Sequence, residues 1–79
     1  MAAQINPNPT ALEKIRREAG LSRKKLGEIS GVSFRLIEQY EQRYRTINGA
    51  SVVTVYALAK ALNVPIENLI EPEEETEKL

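Results

Sequence analysis

Residues 22–41 of the chain, SRKKLGEISGVSFRLIEQYE, decide the fold. Ser22 predicts the start of a helix, because its hydroxyl can accept a hydrogen bond from an otherwise unpaired amide two or three residues later. Gly31 is placed to end that helix in the left-handed conformation, which glycine adopts at low cost. Ser33 then caps a second helix only two residues further on. The stretch therefore predicts two helices, at about residues 23–30 and from residue 34 to 41 or 42, joined by one tight turn.

A connection this short makes the two helices cross steeply, so the side chains at the crossing have to fit together. Gly27 suits the crossing because it has no side chain to hold the helices apart. Two helices joined in this way form a helix-turn-helix, which presents its second helix outward to the major groove of DNA. Five side chains are predicted to supply the apolar contacts: Leu26, Ile29, Val32, Ile37 and Tyr40.

The helix-turn-helix motif of phage repressors has a spacing similar to that of Gly27, Gly31, Val32, Ile37 and Tyr40. The segments LEKIRREAGLS before the motif and LAKALNVPIENLI after it resemble the Cro/phage-repressor (XRE) family of DNA-binding domains. The resemblance covers about residues 11–70, nearly the whole chain. It implies an all-α, lambda-repressor-like fold with five helices, in which helices 2 and 3 form the helix-turn-helix.

The other helices are predicted from their first residues and from their apolar spacing. Thr10 and Glu13 form a capping box that begins helix 1, and Gly20 ends it. Ser51 caps helix 4, and Pro65 suits the first position of a short helix 5 that ends near residue 70. The buried stripes are predicted to contain Leu12, Ile15 and Ala19 in helix 1 and Val52, Val55, Leu58, Ala59 and Leu62 in helix 4. Three further residues are expected to complete the core or to serve a dimer contact: Ile66, Leu69 and Ile70.

Charge is distributed unevenly although the formal net charge is +0. Residues 71–79 carry five glutamates and one lysine, whereas the first 70 residues carry ten bases and six acids. Nine of those ten bases lie between Lys14 and Arg45, around the helix-turn-helix, which predicts a phosphate-binding face. The alternative is an ordinary solvated helical surface. We therefore expect a disordered N-terminal arm at residues 1–10, a DNA-binding domain at 11–70 and a disordered acidic tail at 71–79.

Composition excludes several classes of function. The 79 residues include no cysteine, histidine or aspartate, which excludes a disulfide framework, a zinc finger and most nucleophilic or imidazole chemistry. An enzyme is not expected, nor is a cofactor, a metal or a small-molecule ligand. The start, MAAQINPNPT, lacks the basic and apolar regions of a signal peptide, and no run of about 18 apolar residues predicts a membrane span. We therefore expect a cytoplasmic protein without a membrane partner.

Base-reading side chains have to lie on the outer, N-terminal part of helix 3, because Ile37 and Tyr40 are expected to face the core. Arg35 suits bidentate donation to guanine O6 and N7, and Gln39 suits adenine N6 and N7. For Arg35 the alternative is an ion pair with Glu38 or a contact with a phosphate. Helical spacing places five predicted base-contacting residues on this side: Ser33, Phe34, Arg35, Glu38 and Gln39. The resemblance aligns Phe34, Arg35 and Gln39 with base-contacting positions of the phage repressors.

Phe34 and Glu38 are unusual on a surface that meets DNA. Phage repressors usually have a polar residue at the position of Phe34, and an exposed phenyl ring suggests a partner that covers it, such as a thymine methyl group. The alternative is local packing against Leu36 or a neighbouring turn. Glu38 would be repelled by phosphates unless it accepts a hydrogen bond from cytosine N4. Its alternatives are rejection of wrong sequences or pairing with Arg35.

Phosphate contacts are predicted on both sides of helix 3. Ser22 and Arg23 lie at the N-terminus of helix 2, where unpaired amides and the helix dipole favour an anion. Arg43, Tyr44 and Arg45 follow helix 3 and are candidates for the flanking DNA backbone. A dimer that makes about 6–8 phosphate contacts would show a log–log salt slope of about −5 to −7.

The resemblance also implies a structural ion pair between Arg16 in helix 1 and Glu41 at the end of helix 3. The alternative is two independent surface charges. Gly27, Gly31, Arg16 and Glu41 are therefore assigned structural roles. The family pattern places a glycine soon after the glutamate that matches Glu41, whereas this chain has Gln42, Arg43 and Tyr44 there. We therefore expect a connection a few residues longer than usual.

Together these features predict a sequence-specific transcriptional regulator that binds double-stranded DNA as a homodimer on a palindromic operator. Its half-sites would lie about one helical turn, ~34 Å, apart. Helix 5 with the end of helix 4 is the expected dimer surface. The alternative is a protein-interaction adaptor of the same fold, such as an antitoxin-like subunit or a transcription bridging factor. Exposed Phe34 and the acidic tail would suit that role, and the tail could also lie over the basic face.

Overall fold

The computed structural model describes residues 8–71, and every regular element in that range is helical. Four α-helices follow one another: α1 (Ala11–Glu18), α2 (Arg23–Ser30), α3 (Phe34–Glu41) and α4 (Val52–Leu62). Short 3-10 turns lie at Ile47–Gly49 and Ile66–Asn68. The all-α helix-turn-helix architecture is confirmed. The second 3-10 turn occupies the place predicted for helix 5, so this last element is a single tight turn after Pro65.

Each α-helix begins at a hydroxyl residue whose side-chain oxygen accepts a hydrogen bond from a first-turn amide. Thr10 accepts from the Glu13 amide at 3.1 Å, and Ser22 accepts from the Lys25 amide at 3.0 Å. Ser33 accepts from the Arg35 amide at 3.2 Å, and Ser51 accepts from the Thr54 amide at 3.1 Å. Gly31 ends α2 with a φ of 79°, and its N–H donates to the Gly27 carbonyl at 2.8 Å. The four helix starts and the end of α2 are at the predicted residues, because capping depends on residues that are close together in the sequence.

Gly27 is where α2 meets the turn and the start of α3. A Cβ atom built on Gly27 would lie 2.8 Å from the carbonyl oxygen of Val32 and 3.3 Å from the amide nitrogen of Phe34. Both neighbours are backbone atoms, which cannot swing aside as a long side chain can. The absence of a side chain at this position therefore sets how closely α3 approaches α2.

The core lies between α2, α3 and α4, with α1 packed against α3. Its buried apolar residues are Leu12, Leu26, Ile37, Tyr40, Ile47, Val55, Leu58, Ala59, Leu62 and Leu69. Leu69 completes the core as predicted, whereas Ile66 is partly buried and Ile70 is 40% exposed. Burial of Ile37 and Tyr40 fixes α3 by one side and leaves its other side to the surface.

Three residues predicted to be buried are exposed. Ile29 is 51% exposed and Val52 is 75% exposed, and Ala19 lies on the surface just after α1. Ile29 lies about 60° around α2 from Leu26, beyond the strip that the neighbouring helices cover. Val52 is the first residue of α4, and the covered strip of that helix begins one turn later at Val55. Helical periodicity identified the faces but not how far the neighbouring elements cover them.

The two ends of the described chain meet beside α1. Thr10, assigned above to the N-terminal arm, is 4% exposed. Glu71, assigned to the tail, exchanges two hydrogen bonds with the side chain of Asn48, at 2.8 and 2.9 Å. Its carboxylate also accepts from the amide of Ala11 at 2.6 Å. Residues 10 and 71 therefore belong to the folded part. The rest of the predicted arm and tail, residues 1–7 and 72–79, lies outside the described residues.

Candidate nucleic-acid interface

The outer side of α3 is open to solvent while its inner side is fixed in the core. Ile37 and Tyr40 on the inner side are 0% and 6% exposed. The predicted base-contacting residues are exposed (Ser33, Phe34 and Arg35) or half-buried (Glu38 and Gln39). Ser33 also caps the helix through its hydroxyl. The helix therefore presents these five side chains from a rigid support.

Phe34 lies beside the turn between α2 and α3 and is partly open to solvent. Its ring borders a shallow hollow lined in part by Gly27, Gly31 and Val32, so it packs locally against the turn. It is nevertheless 45% exposed, and the guanidinium carbon of Arg35 lies 5.9 Å from the ring centroid. This distance lies within the range of a cation–π contact. Phe34 and Arg35 thus form one surface unit with an apolar and a cationic part.

Glu38 and Gln39 are each contacted by an arginine from outside α3. Arg23 Nη1 lies 3.7 Å from Glu38 Oε2, so the arginine beside Glu38 comes from the start of α2. Arg45 Nε donates to Gln39 Oε1 at 2.9 Å. The two arginines approach α3 from the elements before and after it. Glu38 and Gln39, the polar side chains on the outer side of α3, therefore contact cationic side chains as well as solvent.

Glu41 is a buried carboxylate at the end of α3 that binds two arginines. Arg16 donates from Nε to Oε2 at 2.6 Å and from Nη2 to Oε1 at 3.0 Å, and Arg23 donates from Nε to Oε1 at 2.8 Å. Arg16 also donates to the carbonyl of Leu21 at 2.8 Å. Arg16 and Glu41 are therefore not independent surface charges. Together with Arg23 they join α1, the start of α2 and the end of α3.

The start of α2 borders a hollow of about 490 Å³ in which three arginines are paired with two glutamates. Its lining consists of Glu13, Arg16, Arg17, Ser22, Arg23, Glu41 and Gln42. Ser22 is exposed there and caps the helix, while the Arg23 side chain is 31% exposed although it binds Glu41. Unpaired amides at a helix start together with nearby guanidinium groups are a favourable setting for a phosphate.

The loop after α3 turns back on the helix it has just left. Arg43 adopts a left-handed φ of 63°, and the amides of Tyr44 and Arg45 both donate to the Gln39 carbonyl, at 2.9 and 3.2 Å. The family pattern has a glycine in this part of the chain, and glycine adopts a left-handed φ at low cost. Here Arg43 adopts the left-handed φ although it has a Cβ atom. The predicted longer connection is thus a compact turn followed by the 3-10 turn at Ile47–Gly49.

The three loop residues predicted to contact phosphate have different surroundings. Arg43 Nη1 donates to the carbonyl of Asn8 at 2.9 Å, and Arg43 Nη2 lies 3.9 Å from Glu71 Oε1. Arg45 binds Gln39, as described above. Tyr44 is 77% exposed. The loop therefore offers one open aromatic hydroxyl and two arginines whose side chains also support the structure.

Sequence reasoning missed two features of this surface. It assigned Arg23 to phosphate binding alone and did not predict its hydrogen bond to Glu41. It also missed the contact between Arg45 and Gln39. These residues lie six positions apart across a loop whose path local patterns do not predict.

Comparison with known proteins agrees with this geometry. A sequence profile described as Helix-turn-helix, of the Cro/C1 type, matches residues 12–69. The chain belongs to the Cro/C1-type (XRE) helix-turn-helix family. The resemblance seen in the sequence is thereby confirmed. This XRE chain is also 35% identical over 63 residues to the HTH-type transcriptional regulator SutR of Escherichia coli (strain K12). The match covers 80% of this chain but 34% of SutR, so the chain spans about a third of the length of that relative.

Proposed function

We propose that this XRE-family chain is a transcriptional regulator that binds double-stranded DNA sequence-specifically, as a homodimer on a palindromic operator. The observation that carries the proposal is the outer side of α3, where Phe34, Arg35 and Gln39 lie on the surface of a helix whose other side is buried. A helix held in this way can enter the major groove without rearranging. The similarity to a transcriptional regulator supports the same assignment.

Base reading is assigned to the outer side of α3. Arg35 presents a planar pair of donors suited to guanine O6 and N7, and Gln39 presents one donor and one acceptor suited to adenine. Phe34 is placed to contact a thymine methyl group, and Ser33 lies beside it at the end that enters the groove. Glu38, which lies beside Arg23, accepts from cytosine N4 or rejects base pairs that present an acceptor there.

Phosphate binding is assigned to the two flanks of α3. Ser22 and Arg23 line the hollow at the start of α2, where the helix dipole and the guanidinium favour an anion. Tyr44, Arg43 and Arg45 provide the opposite flank. Gly27, Gly31, Arg16 and Glu41 have structural roles: they set the angle and the anchoring of α3. Nine of the ten bases in the first 70 residues lie between Lys14 and Arg45, which supplies the attraction to DNA.

A homodimer is proposed because one recognition helix reads too few base pairs for useful specificity. The protein has apolar surface available for such a contact on α4, where Val53 is 76% exposed and Tyr56 is 53% exposed. A neighbouring hollow of about 410 Å³ continues this surface along Tyr56, Val64 and Ile66 toward the chain end. This includes the end of α4 and the helix 5 region that the sequence suggested as the dimer surface.

The decisive experiment selects bound duplexes from a random pool and measures the protein's molar mass by light scattering, free and bound. A palindromic consensus bound by a dimer is the expected result. A double variant, Arg35→Met with Gln39→Met, is expected to lose the enrichment while keeping its helical circular dichroism. Glu18→Gln on α1 is the control, because it removes an exposed charge outside the proposed DNA contacts and the proposed dimer surface. Absence of any enrichment with the wild type would reject the proposal.

A protein-interaction adaptor remains the second candidate function, supported by the apolar surface of the molecule. Phe34 is 45% exposed and Val52 is 75% exposed. Exposed apolar side chains such as these can contact a protein partner as readily as they can contact a base pair. An adaptor would give no enriched duplex and would form a stable complex with another protein. The two candidates therefore give opposite results in the selection experiment.

Several expectations accompany the main proposal. We propose a cytoplasmic protein that acts without a catalytic centre, a cofactor or a small-molecule ligand. Among the described residues, no helix has the length and apolar character needed to cross a membrane. Whether the tail covers the basic face is tested by removing residues 72–79: an unchanged affinity for DNA would exclude that role.

A further inference from the structure

Arg45 contacts Gln39, a proposed base-reading residue, through both its side chain and its backbone. Arg45 Nε donates to Gln39 Oε1 at 2.9 Å, and the Arg45 amide donates to the Gln39 carbonyl at 3.2 Å. We propose that Arg45 is a positioning residue that determines which end of the Gln39 side-chain amide meets each atom of the base pair. The inference rests on the proposed function and adds a source of base specificity outside α3.

The chemistry of the two groups makes the orientation definite. A guanidinium group has only donors, so the Gln39 atom that faces it has to be the carbonyl oxygen. Without such a neighbour, the terminal amide of glutamine can turn by half a rotation and exchange its donor and its acceptor. With Arg45 in place, Gln39 Oε1 stays on the side of the loop and Nε2 points away from it. Arg45 therefore selects one of the two orientations of the Gln39 side-chain amide.

A fixed amide discriminates between the two purines. Adenine offers a donor at N6 and an acceptor at N7, which match the oxygen and the NH₂ group of one glutamine. Gln39 Oε1 can accept from Arg45 and from adenine N6 together, because a carbonyl oxygen has two lone pairs. Guanine offers acceptors at both O6 and N7, so a fixed Oε1 would face an acceptor. The contact thus favours adenine over guanine opposite Gln39.

The path of the loop explains why Arg45 can perform this role. The left-handed φ of Arg43 and the bond from the Tyr44 amide to the Gln39 carbonyl, at 2.9 Å, return the chain to the last turn of α3. The Arg45 side chain consequently begins next to Gln39 and needs no long extension to reach it. Arg43 points elsewhere, toward the carbonyl of Asn8. Of these two neighbouring arginines, the structure connects Arg45 to the reading residue.

The test compares base preferences of purified full-length variants on a duplex that carries the selected site. Gln39→Met first identifies the base pair that Gln39 reads, as the position where discrimination falls. Arg45→Met keeps a long side chain but removes every N–H donor that faces Gln39. We expect it to reduce the preference for adenine over guanine at that position by about tenfold, within the range for one bidentate base contact. Lys14→Arg, at an exposed residue of α1 outside the proposed contacts, is the control and is expected to leave every preference unchanged.

A double variant separates positioning from simple attraction. If Arg45 acts through Gln39, then Arg45→Met added to Gln39→Met changes no base preference further. Unchanged adenine preference in Arg45→Met alone would overturn the inference while leaving the proposed function intact. So would an equal loss of affinity for all sequences, which identifies Arg45 as a phosphate contact only. A wild-type protein that enriches no duplex would overturn both the inference and the proposed function.

Discussion

Glu41 shows how one residue can determine the position of the candidate interface. Its side chain is 0% exposed, and both carboxylate oxygens accept from arginines of other helices. Arg16 holds it to α1, and Arg23 holds it to the start of α2. An enclosed charge is tolerated only when it is fully paired and hydrogen-bonded, as it is here. The same residue therefore ends α3 and fixes its direction relative to the helix before it.

Replacing Glu41 by Gln keeps the shape but removes the charge. We expect the free energy of unfolding to fall by about 3–5 kcal/mol, because Arg16 would be left buried with a neutral partner. A chain this short has a stability of about the same size, so the variant should lose most of its helical circular dichroism at 25 °C. Glu28→Gln is the control: its pair with Lys25 is exposed, at 3.8 Å, and its loss should change stability by no more than about 0.5 kcal/mol. A stable, folded Glu41→Gln protein would contradict this account.

Arg43 allows backbone strain to be separated from side-chain contacts. Its φ of 63° is unfavourable for any residue with a Cβ atom, whereas glycine accepts it readily. Arg43→Ala and Arg43→Gly both lose the contact with Asn8, so their difference reports the backbone alone. We expect the glycine variant to be more stable by about 1 kcal/mol, measured by urea unfolding. Glu28 lies inside α2, where alanine favours the helix more than glycine does. We therefore expect Glu28→Ala to be about 1 kcal/mol more stable than Glu28→Gly, the opposite order.

At the scale of elements, the crossing of α2 and α3 depends on the space at Gly27. Gly27→Val would place atoms against the backbone at Val32 and Phe34, and we expect it to cost about 1–3 kcal/mol through overpacking. Glu28→Val, the next position on α2, controls for the helix propensity of valine and should cost less than about 1 kcal/mol, because that side chain is exposed. Thermal unfolding followed by circular dichroism compares the two. Equal melting temperatures for both variants would show that α2 and α3 can move apart without loss of stability.

The predictability of these elements follows from the range of the interactions involved. The four hydroxyl caps and the stop at Gly31 act within a few residues, so the sequence predicted them at the observed positions. Burial of Ile29 and Val52 was predicted wrongly, because periodicity does not reveal how much of a helix its neighbours cover. The contact between Arg45 and Gln39 depends on a loop path, and the contact of Glu71 with Ala11 joins residues 60 positions apart. Neither has a local pattern.

At the scale of the whole molecule, the two ends of the described range, near residues 10 and 71, are part of the fold. Glu71 satisfies the amide of Ala11 at the start of α1 and exchanges two hydrogen bonds with Asn48. A chain that ends at residue 70 would lose these three hydrogen bonds, and we expect it to be about 1–3 kcal/mol less stable than one that ends at residue 71. Urea unfolding of the two truncated proteins tests this difference of one residue. Equal stabilities would place the domain boundary before Glu71.

The distribution of charge leads to a prediction about binding by the complete protein. If the basic face supplies about 6–8 phosphate contacts in a dimer, the slope of log affinity against log salt should be about −5 to −7. Fluorescence anisotropy with a duplex carrying the selected site, between about 50 and 200 mM salt, measures that slope. Lys24→Met, in the first turn of α2, would reduce it by about 1 per bound subunit if that lysine meets a phosphate. Glu18→Gln should leave it unchanged, because this exposed side chain on α1 is not among the proposed phosphate contacts. A slope near zero would show that the nine bases around the helix-turn-helix do not meet DNA, whatever sequence the duplex contains.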